Sequence, residues 1–446
     1  MEYKNSVYNV FFSGGSEQYV YNMLSTAISE INTEIKQALS DGNLQAIPPE
    51  IQDELIKEGF MVEKGSNEAD KYQYYYDSAR FSRATDSLSI VFIPTYGCNL
   101  RCTYCYEGND KNFKKISFAD IDRIILFIKG RILASFDETP IREIQAQLYG
   151  GEPMTCKREL EYYCGELKKL ADEYRLSVNF SMVSNFTLLD DPMADLISKY
   201  DITTQVSIDG TKKEHDLRRV RVDGSGTYDA IIANLSSIVN RGLKKNITIR
   251  INTDLDNIDE AESVFNEMLK YSSDVYFGVL TKYNGCNDAF SSDCLDSSVA
   301  GEILSKLTSR LYAKYNMDIP QHFGKKGPCA LNCENKYMID CNLDVYKCDL
   351  LINHKECRVG HIDERGNLEL FDGFYSQMSF SPFKFEKCRC CKMLPMCGGG
   401  CPATEYLNRG KTDGDLNIAS CAVSEESLRS CLIDYVDCCE GGSDEQ

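Results

Sequence analysis

An α/β fold built on a partial (β/α)6 barrel of the TIM type is what the middle of this chain predicts, on three observations. Six short apolar runs, at 89–95, 143–149, 177–184, 203–209, 246–253 and 274–281, read as buried strands. Between them lie stretches with apolar residues at steps of three and four, among them 117–134, 157–174, 226–240 and 257–270, and such alternation of strand and helix is the pattern of parallel βα units. Directly after the first run comes a loop with three cysteines, Cys98, Cys102 and Cys105. In barrels of this type the active site gathers at the carboxyl ends of the strands.

Length and composition bound what surrounds the barrel. With 446 residues, two or three domains are expected. The formal net charge of −19 argues against nonspecific binding to nucleic acid or to an anionic membrane. No apolar run approaches the roughly 18 residues of a membrane span, and Met1-Glu2-Tyr3-Lys4-Asn5 does not lead into a signal-peptide core, so a cytoplasmic protein is expected. The 21 cysteines are an odd count, crowded after residue 328, and this argues for reduced thiolates that hold metal rather than for a disulfide framework.

Residues 1–80 read as a separate unit. Val7–Phe12 is a strand. Tyr21, Leu24, Ile28, Ile31, Ile35 and Leu39 predict one amphipathic helix over 21–39, ended by Asp41-Gly42-Asn43. Pro48-Pro49 opens a second helix, Gly59 stops it, and Phe60-Met61-Val62 is a strand. The barrel is expected over 85–285, followed by a polar bridging region at 286–328 with a helix at 299–315 and two ordinary thiols, Cys286 and Cys294, and then a cysteine-rich region at 329–446.

The chemistry starts at Cys98-x3-Cys102-x2-Cys105. Three thiolates on one loop can hold three irons of a 4Fe–4S cluster and leave the fourth iron open to an outside ligand. Zinc, the alternative, prefers four closed ligands or paired Cys-x2-Cys hooks. The stretch resembles the signature of the radical S-adenosylmethionine (radical SAM) enzymes, including the aromatic Tyr104 before the last cysteine. That resemblance implies that Cys98, Cys102 and Cys105 ligate the cluster and that SAM binds its open iron. It further implies that SAM is cleaved reductively to a 5′-deoxyadenosyl radical that removes hydrogen from an unactivated carbon. Later strand ends carry matching segments. Gly150-Gly151-Glu152 is similar to the segment that receives the SAM amino group. Ser184-Asn185 and Ser207-Ile208-Asp209-Gly210 end the third and fourth strands, and Ile249-Arg250-Ile251-Asn252 completes the fifth. His215-Asp216-Leu217-Arg218-Arg219 resembles a His-Asp-x-x-Arg run, which implies that Arg219 pairs with the SAM carboxylate; a surface ion pair is the other reading. Tyr104, Gly150, Gly151, Glu152, Ser184, Ser207 and Arg219 are the expected cofactor contacts.

In the last third, Cys388, Cys391, Cys397 and Cys401 stand at Cys-x2-Cys-x5-Cys-x3-Cys, with Cys333 and Cys348 upstream and Cys421 downstream. This resembles the SPASM extension of peptide-modifying radical SAM enzymes. It implies two auxiliary 4Fe–4S clusters, one on Cys329, Cys333, Cys348 and Cys401, the other on Cys388, Cys391, Cys397 and Cys421, three clusters in all. Cys341, Cys357 and Cys390 lie close enough in sequence to substitute, and zinc is an alternative for this block too. Leu343 stands where the family has a hairpin glycine. Residues 1–80 look like a winged-helix-like recognition element, the unit that grips leader peptides in enzymes that modify ribosomally made peptides (RiPPs); an N-terminal cap without a binding role is the alternative.

Together the resemblances imply a peptide maturase. It would take hydrogen from a residue of a precursor peptide with a leader and form intrapeptide thioether links of the sactipeptide or ranthipeptide kind, with a flavodoxin or ferredoxin as reductant. Carbon–carbon or carbon–oxygen crosslinking, formylglycine formation in sulfatases, and a non-catalytic electron carrier with several clusters are the alternatives.

Overall fold

The structure, a computed structural model, describes residues 2–81, 85–105, 107, 112–137, 139–254, 257–279, 307, 311, 314, 327–352, 354–403 and 424–441. Cys286, Cys294, Cys421 and nearly all of the helix expected at 299–315 lie outside the described residues. The chain forms two compact units, one of residues 1–79, 297–329 and 380–446, the other of 80–296 and 330–379.

In the first unit, β1 (Tyr3–Asn5) pairs antiparallel with β5 (Met61–Glu63), and β2 (Asn9–Gly14), β3 (Glu17–Asn22) and β4 (Ile28–Ile31) form an antiparallel sheet in that order. Helices α1 (Thr33–Asp41), α2 (Pro49–Lys57) and α3 (Glu68–Ser78) complete its N-terminal part. The single helix expected over 21–39 is therefore corrected: β3 and β4 occupy its first half. The period was misread because this sheet is apolar on both faces. Val10, Phe12, Tyr19 and Tyr21 pack against Leu428, Leu432 and Val436 of the helix Glu425–Gly441. Val20 and Ile31 point the other way, into a cluster with Leu39, Leu55 and Phe60. With Tyr21 and Ile28 on one covered face and Val20 and Ile31 on the other, the apolar residues fall at steps that also fit a helical stripe. Thr26, with φ 64°, reverses the chain between β3 and β4, and the Asn32 side chain caps α1 by accepting from the Ile35 N–H.

The second unit is built on a ten-stranded sheet. Six strands, β6 (Ser87–Phe92), β7 (Glu143–Leu148), β8 (Ser177–Ser184), β9 (Thr203–Ile208), β10 (Ile247–Thr253) and β11 (Asp274–Val279), run parallel and adjacent in chain order. Each lies within three residues of its expected position, because each carries a buried apolar row such as Leu88, Ile90 and Phe92. Helices α4 (Phe118–Ser135), α5 (Lys157–Tyr174), α6 (Asp191–Tyr200), α7 (Lys212–Arg218), α8 (Tyr228–Asn240) and α9 (Ala261–Met268) connect them. On the other side of β6 the sheet continues with β12 (Lys336–Ile339), parallel to β6, then β13 (Asp344–Tyr346), β14 (Gly360–Ile362) and β15 (Leu368–Leu370), all antiparallel.

The β12–β13 turn shows what replaces the missing glycine. Leu343 holds φ 65°, a left-handed conformation that strains a branched side chain. The Asp340 carboxylate accepts the N–H groups of Asn342 (2.8 Å) and Asp344 (3.0 Å), which locks the turn, and the Leu343 side chain is only 3% exposed. Burying a leucine is worth more than the roughly 1–2 kcal/mol of backbone strain. Leu343→Gly is therefore expected to destabilise the protein by about 1–3 kcal/mol despite relieving the strain, since the packing lost on truncating a buried leucine is the larger quantity; urea unfolding of the two proteins checks the sign.

Candidate functional site

The carboxyl ends of β6 to β10 surround a cavity of about 480 Å³. Cys98, Cys102 and Cys105 form one wall, and Tyr104, Gly150, Gly151, Ser184, Ser207 and Arg219 also line it. Of the residues expected to contact a cofactor, Glu152 alone is not among the lining residues.

The cysteine loop has no regular structure of its own, and it is held by the segment at the end of α7 on one side and by the end of β7 on the other. Leu100 bridges to Arg221, the Arg101 N–H donates to the Val220 carbonyl (2.7 Å), and the Thr103 N–H donates to the Arg218 carbonyl (2.9 Å). On its other side the Gly151 N–H donates to the Thr95 carbonyl (3.2 Å) and the Glu152 N–H to the Gly97 carbonyl (2.9 Å). Here the two glycines act on protein backbone. Gly150 has φ 125°, and a Cβ on it would run into the Thr95 carbonyl oxygen; one on Gly151 would run into the Gly97 and Tyr96 carbonyl oxygens.

Glu152 is a brace. Fully buried, its carboxylate accepts from the Met154 N–H (2.9 Å), the Ser184 hydroxyl (2.8 Å) and the Asn185 N–H (2.7 Å), so it ties the end of β7 to the end of β8. Burial pushes its pKa up, and these hydrogen bonds partly restrain the shift. Beside it the Asn185 amide nitrogen lies 3.8 Å from the Cys98 sulfur and 3.0 Å from the Asn99 side-chain oxygen, while the Leu100 N–H lies 3.4 Å from the same sulfur. Donors aimed at sulfur favour a thiolate, the form in which cysteine binds metal.

A second network stands behind Tyr104. Its hydroxyl donates to Asp209 (2.5 Å) and accepts from Arg219 (2.7 Å) and Asn252 (3.2 Å), and Asn252 also donates to Asp209 (2.8 Å). Burial pushes the Tyr104 hydroxyl far above its ordinary range, so it stays protonated. Burial alone would pull the Arg219 guanidinium down, but Tyr104, Cys102 and Asp209 outweigh it and hold the charge. The Arg219 Nε is buried without a hydrogen-bond partner. A buried cation that lines the cavity with a donor unused fits an anionic group there. The residues present fit such a cofactor in kind: the Cys98 sulfur lies under two N–H donors, and a fixed cation stands near Cys102. Asp209 and Asn252 belong to this network although only their places at strand ends marked them in the sequence.

The rest of the His-Asp run is structural. His215 is buried, accepts the Asp209 N–H at Nδ1 (3.2 Å) and meets the Thr227 hydroxyl at Nε2 (3.1 Å); burial pulls its pKa down to about 4. Asp216 accepts the N–H groups of Thr227 (2.7 Å) and Tyr228 (2.9 Å) and so caps α8.

Among the described residues no three His, Cys, Asp or Glu side chains converge as a cage for one metal ion. A cubane spreads its thiolates over separate irons, so convergence on a point is not required of Cys98, Cys102 and Cys105. The remaining cysteines sort by surroundings. In the first unit Cys388, Cys391 and Cys397 sit on or beside two short helices, and Cys397 leads into Gly398, Gly399 and Gly400, all at positive φ, before Cys401. Cys329 also belongs to this unit and is exposed. Cys390 is exposed and directs its sulfur at Glu386. In the second unit Cys333 is buried and Cys348 half-buried. Burial pushes the Cys341 thiol up to about 12 and that of Cys357 up to about 11, and it raises the Cys333 thiol as well. Sequence reasoning missed Lys347. Its ammonium is buried and donates to the carbonyls of Cys333 (2.7 Å), Glu334 (3.1 Å) and Lys336 (2.6 Å), beside two of the expected ligands.

Residues 92–268 match the sequence model of the Radical SAM superfamily. The cysteine-type anaerobic sulfatase-maturating enzyme of Clostridium perfringens (strain 13 / Type A) is 25% identical over 357 residues, 74% of this chain and 92% of that protein. Among solved structures, native anSMEcpe with bound AdoMet is similar at a TM-score of 0.61 and 18% identity, over 80% of this chain and 100% of that one. Streptococcus suis SuiB bound to its precursor peptide SuiA is similar at 0.52 and 14% identity, over 92% of this chain and 97% of that one.

Two outcomes test the bracing. Gly151→Ala is expected to dislodge the cysteine loop at a cost of about 1–3 kcal/mol, typical of overpacking, and to lower the iron retained after anaerobic reconstitution. For His215 the folded pKa lies below the unfolded one, so the unfolded chain binds the proton first, and stability falls as pH drops from about 6.5 toward 4. The loss is about 3 kcal/mol at most, and His215→Gln is expected to flatten that part of the urea-midpoint profile.

Proposed function

From the premise that this chain is a radical SAM superfamily enzyme, we propose that it is a peptide maturase that removes a hydrogen atom from a residue of a ribosomally made precursor and joins a cysteine sulfur of the same peptide to that carbon. The cavity carries the reading: one wall presents Cys98, Cys102 and Cys105, the adjoining walls present Gly150, Gly151, Ser184, Ser207 and Arg219, and 480 Å³ leaves room beyond them. A cluster on the three thiols, with SAM bound, would supply a strongly hydrogen-abstracting carbon radical. The chain's own residues do the rest. Arg219 fixes a carboxylate, Gly150 and Gly151 bring backbone groups to the cavity, and the Tyr104–Asp209–Asn252 network keeps Arg219 charged and still. The cysteines at 329, 333, 348 and 401 and at 388, 391, 397 and 421 are proposed to hold two further clusters that take up the surplus electron, with a flavodoxin or ferredoxin supplying electrons at the start.

A peptide substrate is supported by the reach of the likeness. The fold shared with SuiB, whose structure holds a precursor peptide, extends over 92% of this chain, against 80% for the sulfatase-maturase fold. The three-stranded sheet with α1–α3 is accordingly proposed as the leader-binding element. A second reading, oxidation of a sulfatase cysteine to formylglycine, is favoured by the 25% identity to the C. perfringens enzyme.

The anaerobically reconstituted enzyme, given dithionite, SAM and the peptide encoded by a short reading frame beside its gene, is expected to form 5′-deoxyadenosine and to remove two hydrogens per crosslink, leaving the linked cysteine closed to alkylation. Alanine at Cys98, Cys102 and Cys105 together is expected to abolish both products, and Arg219→Gln to raise the KM for SAM about 10–100-fold, the worth of a charged hydrogen bond. A hydrazine-reactive aldehyde in place of the crosslink would establish the second reading.

A further inference from the structure

The cavity continues past the cysteines onto the sheet. Parallel strands covered on both faces are ordinarily apolar throughout, yet Gln147 on β7, Gln205 on β9 and Arg250 on β10 face this space. Arg250 is built into place. It stands level with Ser207 on β9 and Tyr276 on β11. Its Nε donates to the Asn252 side-chain oxygen (3.0 Å), and its neighbour Tyr276 donates its hydroxyl to the Gln205 side-chain oxygen (2.5 Å). On β11 a Cβ at Gly278 would collide with the guanidinium, so bare backbone at that position makes room for it.

What Arg250 lacks is an anion. In the same unit Arg218 pairs with Asp254, Arg219 with Asp209 and Arg358 with Asp344. Among the described residues Arg250 has no carboxylate within ion-pair distance, although it is half-buried and lines the cavity. A partly desolvated guanidinium without a counter-charge is costly, and its planar fork of donors matches a carboxylate. We propose that Arg250, braced by Asn252 and seated in the gap at Gly278, is a subsite for a carboxylate, brought by an acidic residue of the peptide substrate beside the one that reacts. This rests on the peptide-maturase reading. The same chemistry is offered by the carboxylate of SAM, and the test separates the two.

The probes are acetyl-Ala-Asp-Ala-amide, acetyl-Ala-Asn-Ala-amide and SAM, titrated calorimetrically into reconstituted holoenzyme under anaerobic conditions, for the natural protein, Arg250→Gln and Arg250→Lys. The Asp peptide is expected to bind the natural enzyme about tenfold or more tighter than the Asn peptide, the gain from a charge-assisted pair. Arg250→Gln is expected to erase that preference, Arg250→Lys to restore part of it, and SAM affinity to stay within about twofold, since no lost carboxylate contact is then involved. Equal binding of both peptides by the natural enzyme, or a preference that survives Arg250→Gln, overturns the subsite. A loss of SAM affinity in Arg250→Gln with the Asp-over-Asn preference intact overturns it as well, since Arg250 then serves the SAM site, directly or through Asn252. If the natural enzyme still crosslinks its precursor peptide in those cases, only the subsite fails; if it does not, the underlying reading fails.

Discussion

The contact on which this site depends is the close approach of two backbones, Thr95–Gly97 before the first cysteine and Gly150–Gly151 after β7. Carbonyls of Thr95 and Gly97 accept N–H groups of Gly151 and Glu152, and no side chain fits between them. Three thiols on a free loop would have to be ordered each time a cluster formed, at roughly 1–2 kcal/mol per residue of backbone entropy. The docked strand ends make that ordering part of folding, so the loop is held by the same sheet that carries the cavity.

The work at this site divides between side chains that face the cavity and side chains behind them that hold the facing ones. Glu152, His215 and Asp216 belong to the second group. Each stands in a run where a neighbour faces inward: Glu152 after Gly151, His215 and Asp216 before Arg219. The chain as a whole carries a net charge of −19, while Arg219 and Arg250 place positive charge inside the cavity. Glu107 and Asp349 line the same cavity, so an incoming carboxylate is favoured at the two guanidiniums rather than over the whole recess.

How far the sequence could be read follows from this division. The six parallel strands were legible because each buries an apolar row, and the cysteine loop was legible because ligand spacing is local. The strands at 17–22 and 28–31 were not, because a sheet covered on both faces loses the two-residue period that distinguishes it. Inward and outward roles within Gly150-Gly151-Glu152 could not be told apart, since the direction in which a carboxylate points is set by tertiary packing. Arg250 was visible only as part of a strand end. Its meaning comes from Gly278, on a strand that follows it in the chain but lies beside it in space.

The two-sided sheet of the first unit has a consequence for synthesis. Val10, Phe12, Tyr19 and Tyr21 are covered by Leu428, Leu432 and Val436. During translation at about 5–20 residues per second, roughly 20–80 seconds pass between the two sets leaving the ribosome. For that interval a greasy strand surface waits without its lid, and chaperone occupancy of the nascent chain should be set by the arrival of the last helix.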